Sequence, residues 1–190
     1  DSHIKSISIP STVKELKYGW CSHSWSLVNI NLSPDNENFA YIDDTHQIIV
    51  GKSDTKTEIF DVIVFGSREI EKVDIPSYIT SIYPFSFSGC THLKIVNFSE
   101  DSQIHSIGDF AFSFTSLKEI LIPKSVEIIG ESCFSECERI QRFDFAHKSK
   151  LKIIGKSCFQ MSSIDFIEIP KKVEQIDDCA FAECSKLQQV

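Results

Sequence analysis

Apolar and polar positions alternate in short stretches that return at a fixed distance along the chain. The dipeptide Ile-Pro marks one such stretch, at Ile75-Pro76, Ile122-Pro123 and Ile169-Pro170, successive copies lying 47 residues apart. A diverged copy falls between each pair, with Phe98 and Phe145 in the place of the isoleucine, so the unit is 23 or 24 residues long. A phenylalanine series, Phe87, Phe112, Phe134, Phe159 and Phe181, advances by 25, 22, 25 and 22 and keeps the same double period. Two markers in phase identify stacked units, because self-similarity at about 20 to 50 residues is the signature of a solenoid.

In the unit from Leu117 to Ile140, Ile120 and Ile122 fall on one face of a strand and Leu121 on the other. Pro123 ends the strand because it has no N–H for a ladder, Gly130 permits a turn, and Cys133, Phe134 and Cys137 predict a short helical segment. Neither element buries its apolar face alone, whereas stacked units bury both. The expected architecture is an α/β repeat solenoid, a right-handed superhelix with a parallel concave β-sheet and short convex helices or 3-10 turns.

The chain opens with a further pair of units, Ile4 to Pro10 and Leu27 to Leu32, where Ile9 and Leu32 are again 23 apart. From Leu32 to Ile75 the interval is 43, so about twenty residues are inserted. Phe39 to Ile42 and Gln47 to Val50, around the polar Asp43-Asp44-Thr45-His46, predict a β-hairpin, and a third extended run spans Glu58 to Phe65. The expected organisation is a single solenoid over 1–190, with first repeats at 1–38, a hairpin insertion at 39–66 growing from one edge, and tandem repeats over 67–190. Starting at Asp1 and stopping within a repeat, the sequence is expected to be a piece of a longer protein.

The pattern Leu-x-x-Ile-x-Ile-Pro-x-Ser-Val-x-x-Ile-Gly-x-x-x-Phe-x-x-Cys-x-x-Leu resembles the BspA-type, or treponemal-type, leucine-rich repeat, in phase from Ile70 to Val190. The insertion around Phe39 to Lys52 is similar to one found in that family. The resemblance implies a curved solenoid and, for many relatives, display on the surface of mucosal bacteria or parasitic protists as adhesins or antigens. Tyr83-Pro84 in place of the Ile-Gly step, Asp177 in place of glycine, and Thr115 and Ser162 in place of cysteine depart from the pattern.

Composition agrees with extended structure: 27 isoleucines and 15 phenylalanines stand against 8 leucines. With 27 acidic and 19 basic residues, a net charge of −8 and no run of Lys or Arg, the chain has no basic footprint for nucleic acid or an anionic membrane. No apolar run approaches the ~20 residues that cross a bilayer, so no membrane insertion is expected of this segment.

Seven cysteines raise the question of disulfides or zinc. Cys90, Cys137 and Cys184 each fall three residues after the repeat phenylalanine, and Cys133 and Cys158 directly precede it, which is the register of small buried fillers whose thiols bond turn backbone. Cys133 and Cys137 share a turn, but no second pair has complementary spacing, so no metal is assigned. Cys21 with His23, and Cys90 with His92, have no third orienting group, and motifs for nucleophile elbows, phosphate loops or dinucleotides are missing. No enzyme activity and no cofactor are expected.

What remains is surface. Strand residues that turn away from the core form two columns, Lys72, Ile95, Glu119, Arg142 and Phe166, and Asp74, Asn97, Leu121, Asp144 and Glu168. Ile95, Leu121 and Phe166 among carboxylates predict a partner-binding concave face for a protein or host-surface macromolecule. Asn31-Leu32-Ser33 and Asn97-Phe98-Ser99 fit the N-glycosylation pattern. The expected function is a non-enzymatic interaction module of a surface-displayed protein. The alternative is a cytoplasmic scaffold or targeting domain attached to another functional region.

Overall fold

The structure, a computed structural model, describes residues 2–189. Its strands in chain order are β1 (Ser6–Ile9), β2 (Asn29–Leu32), β3 (Phe39–Tyr41), β4 (Ile48–Gly51), β5 (Val62–Gly66), β6 (Lys72–Ile75) and β7 (Ser81–Ile82), then β8 (Ile95–Phe98), β9 (Ser106–Ile107), β10 (Glu119–Ile122), β11 (Ile128–Ile129), β12 (Arg142–Phe145), β13 (Ile153–Ile154) and β14 (Gln175–Ile176). Each full unit contributes two strands, one to each of two ladders running along the stack.

The first ladder is parallel and zipped in pairs, β1 with β2, β6 with β8 and β10 with β12. Single bridges then join Arg142 to Phe166 and Phe166 to Gln189. Proline explains the pairing. Ser33, Ser99 and Ala146 each donate their N–H to the last strand residue of the preceding unit, Ile9, Ile75 and Ile122. At the intervening steps that position is Pro76, Pro123 or Pro170, which has no N–H to give.

The second ladder is continuous, an eight-stranded sheet in the order β14-β13-β11-β9-β7-β5-β4-β3. Its parallel part is built from two-residue strands whose inner residues Ile82, Ile107, Ile129 and Ile154 are buried. The inserted segment extends this sheet: β3 pairs antiparallel with β4, β4 antiparallel with β5, and β5 parallel with β7. β4 and β5 are buried on both faces. Ile48, Val50 and Ile63 join the main core, while Ile49, Val62 and Val64 join a second cluster with Ile9, Leu27 and Ile30 of the first units. The insertion is therefore a wall between two cores.

The side expected to be helical is made of stacked turns, and the described residues contain no helix. The amides of Phe110, Phe112 and Phe114 donate to carbonyls of Glu131, Cys133 and Ser135 in the next unit, while Ala111 and Ser113 reach back only three residues. Left-handed φ values at Phe110 (56°) and Phe114 (58°), repeated at Ser132 and Glu136, interrupt any helical run. Donors that a helix would spend within itself go to the neighbouring unit instead. Gly130 serves a different need: a Cβ there would lie 2.7 Å from the backbone nitrogen of Asp109.

Inside, the repeat phenylalanines form one stack. Successive ring centroids of Phe87, Phe112, Phe134, Phe159 and Phe181 lie 5.2, 5.4, 5.9 and 5.3 Å apart with planes within 9°.

Candidate functional site

The outer face of the first ladder collects the two columns of residues that turn away from the core. Register pairs Lys72 with Ile95 and Asp74 with Asn97 across β6 and β8, and Glu119 with Arg142 and Leu121 with Asp144 across β10 and β12. Phe166 follows through its bridge to Arg142, and Glu168 is exposed two residues on. Ile95, Leu121 and Phe166 are 48, 56 and 49% exposed, large apolar groups held in the open by strand alternation.

Polar neighbours are tied to one another. Lys72 bridges to Asp74 at 2.8 Å, Asn97 Nδ2 donates to the same carboxylate at 2.7 Å, and Arg142 pairs with Asp144. Hydrogen bonds from Lys72 first, then Asn97, hold the Asp74 carboxyl below its ordinary range. Asn31 is exposed on β2, where its amide donates to the Ser6 hydroxyl at 3.2 Å. The two sequon asparagines occupy corresponding positions, Asn31 opposite Ser8 on β2 and Asn97 opposite Asp74 on β8.

No ladder joins β8 to β10, and a cleft of about 560 Å³ lies over the outer face of β8, β10 and β12. It is lined by apolar groups of Ile95, Val96, Phe98, Leu121 and Pro123 and by the charged Lys124, Arg142 and Asp144. Residue patterning marks Ile95 and Leu121 but not the cleft. The signal for it was Pro123, which removes a ladder donor at one step in two.

The thiols play the part their register indicated. Cys137 Sγ donates to the Phe112 carbonyl at 3.2 Å and Cys184 Sγ to the Phe159 carbonyl at 2.9 Å, each closing a turn of the preceding unit. Cys90 donates to Ser67 and Cys21 to Phe85, so neither thiol is engaged by the histidine near it in sequence. Among the described residues no group of three or more His, Cys, Asp or Glu side chains is placed to hold a metal, and no helix is long and apolar enough to cross a membrane.

Comparison with known proteins follows the fold. A crystal structure of a leucine-rich repeat protein from Eubacterium ventriosum superposes over 98% of this chain and 48% of its own, with 22% identity and a TM-score of 0.77. The pneumococcal vaccine antigen PcpA covers 94% of this chain and 38% of its own at 25% identity and a TM-score of 0.58. A leucine-rich repeat protein from Bacteroides ovatus covers 67% of this chain and 40% of its own at 25% identity and a TM-score of 0.52. The chain thus spans less than half the length of each of these relatives. No curated protein sequence matches it. The model of the BspA type leucine-rich repeat region matches residues 58–188 in six copies, and with over half of its length so matched the chain belongs to that family.

Proposed function

We propose that the chain is a non-enzymatic protein-interaction module of a surface-displayed protein, which binds a host or partner macromolecule through the outer face of its first ladder and the adjoining hairpin. The observation that carries this reading is the trio Ile95, Leu121 and Phe166, each about half exposed and rimmed by Asp74, Glu119, Asp144 and Glu168. An apolar centre within a charged rim is the anatomy of a recognition surface. Repeats of this family and the likeness to a vaccine antigen support display outside the cell. Asn31 and Asn97 are the proposed N-glycosylation positions; a glycan on Asn97 would shield Ile95 and move contact toward the stretch from Leu121 to Glu168.

Two measurements test this reading. Replacing Leu121→Asp and Phe166→Asp together is expected to weaken binding to the target cell surface by about a hundredfold or more, as loss of central apolar anchors does, with circular dichroism unchanged. Full retention of binding removes this face from the reading. Antibody labelling of the native protein is expected on intact cells; labelling only after permeabilisation would replace surface display with the role of an intracellular scaffold.

A further inference from the structure

No run of Lys or Arg marks a basic footprint in the sequence, but stacking assembles one from three successive turns of the solenoid. Lys124 follows β10, Lys148 and Lys150 follow β12, and Lys171 and Lys172 follow Ile169 in the next unit. The Lys150 amide donates to the Lys124 carbonyl at 3.0 Å, and two residues past Lys150 and Lys172 the Glu174 amide donates to the Lys152 carbonyl at 2.8 Å, so the three turns adjoin. All five lysines are exposed, as is His147 beside them. In a chain of net charge −8, no acidic residue occurs between Asp144 and Asp165.

Elsewhere neighbouring units pair opposite charges. Lys94 bridges to Glu71 of the unit before it at 3.1 Å, and Lys152 to Glu127 at 2.6 Å. Like charges set side by side on neighbouring strands destabilise them. On this edge lysine follows lysine, and among the described residues no ion pair engages any of the five. Glu100 and Asp101, exposed on the turn after β8, bound the edge at one end. A row of unpaired cations on an otherwise acidic molecule concentrates an anionic partner at that one place.

Spacing and residue type choose among anions. Hydrogen-bonded strands lie about 4.8 Å apart, so the charges advance along the solenoid axis by the length of one sugar residue per turn. An extended acidic peptide presents its same-side carboxylates roughly 7 Å apart and falls out of step. Lysine is a hydrated point charge with rotatable donors, suited to sulfates or carboxylates on a hydrated chain rather than to a planar group that needs a fork. Among the described residues no exposed large apolar side chain stands between the five to enter a bilayer, and no exposed aromatic ring to stack a base. We infer that this edge is a docking site for a linear anionic polysaccharide lying along the solenoid axis across the three turns. The inference goes beyond the outer face and stands on a different set of residues.

The test is the fluorescence anisotropy of labelled dextran sulfate titrated with the whole chain, produced without glycans, and of uncharged dextran as the blank. Only the sulfated polymer is expected to bind, with a slope of log affinity against log salt of about −3.5, five contacts at roughly 0.7 each. Lys148→Glu, Lys150→Glu and Lys172→Glu together are expected to lower its affinity about a hundredfold with circular dichroism unchanged. The same charge change made at the exposed Lys14, Lys56 and Lys118 is expected to leave affinity within about twofold. No binding of dextran sulfate, full affinity in the edge variant, or equal loss in both triple variants overturns the inference. Polyglutamate bound as tightly would assign the edge to acidic polypeptides, and phosphatidylserine vesicles bound as tightly would assign it to a membrane surface; either result overturns the polysaccharide.

Discussion

Phe134 lies fully buried between Phe112 and Phe159 and edge-on to Phe143, whose centroid is 4.9 Å away. Truncating it opens a cavity that stacked units on both sides cannot fill, so Phe134→Ala is expected to cost about 3 to 5 kcal/mol in a denaturant titration. The neighbouring thiols are governed by the same burial. It pushes Cys133 and Cys158 well above the ordinary thiol range, Cys137 up to about 11, and Cys21 and Cys90 upward as well. A thiol kept protonated and enclosed is a poor nucleophile. Iodoacetamide at pH 8 is expected to modify the exposed Cys179 in the native protein and to reach those five only after unfolding, as read by peptide mass spectrometry. Early alkylation of Cys133 would contradict its place in the core.

At the level of elements, Asp61 fastens the insertion. Its carboxylate accepts the amide and hydroxyl of Ser53 at 2.8 and 2.7 Å and the Thr80 hydroxyl at 2.9 Å, tying the polar linker after β4 to the start of β7. Burial opposes its ionisation, but these hydrogen bonds together hold its pKa below the ordinary carboxylate value of 3.8. A depressed pKa gives stability that is complete above the unfolded value and lost as pH falls through the folded one. Melting temperature is therefore expected to drop below about pH 4 in the native chain, with a smaller acid-dependent drop in Asp61→Asn, measured between pH 5 and pH 2. How far the elements were legible follows from which signals they left in the side chains. Alternation around Ile120 and Ile122 disclosed the first ladder, and the phenylalanine spacing disclosed the core stack. The two-residue strands of the second ladder are too short for alternation to mark, although Ile82, Ile107, Ile129, Ile154 and Ile176 recur with the phenylalanine spacing. Cys133, Phe134 and Cys137 have the spacing of a short helix or 3-10 turn, whereas the hydrogen bonds that stack Phe134 on its neighbours are made by backbone, to which side-chain patterns are blind. On the outer face, Ile95 and Leu121 were visible as apolar residues out of place; the cleft beside them depends on a missing N–H.

Across the whole molecule, the wall formed by β4 and β5 separates the core of the first units from that of the tandem repeats, and Arg68 spans the two. Buried at 3% exposure, it donates to the carbonyls of Gly66 and Ser86 at 3.0 Å and reaches Ser24 and Cys21 in the first units, with its guanidinium 5.0 Å from the centre of the Phe65 ring. A buried cation held by carbonyls leaves several acceptors unmet when removed, so Arg68→Ala is expected to cost about 3 kcal/mol. Because units touch only their neighbours, the loss should also split one calorimetric transition into two, the segment carrying β1 and β2 melting first. A single transition at unchanged temperature would mean the wall alone couples the cores. The alternation of Pro-bearing and Pro-free strands, finally, constrains how genes for such arrays grow and shrink. Deleting or duplicating one unit would set two Pro-bearing strands, or two Pro-free ones, side by side and either open a second seam or close the first. Gains and losses in steps of 47 residues leave every joint as it was, so length variants of this array are expected to differ by pairs of units.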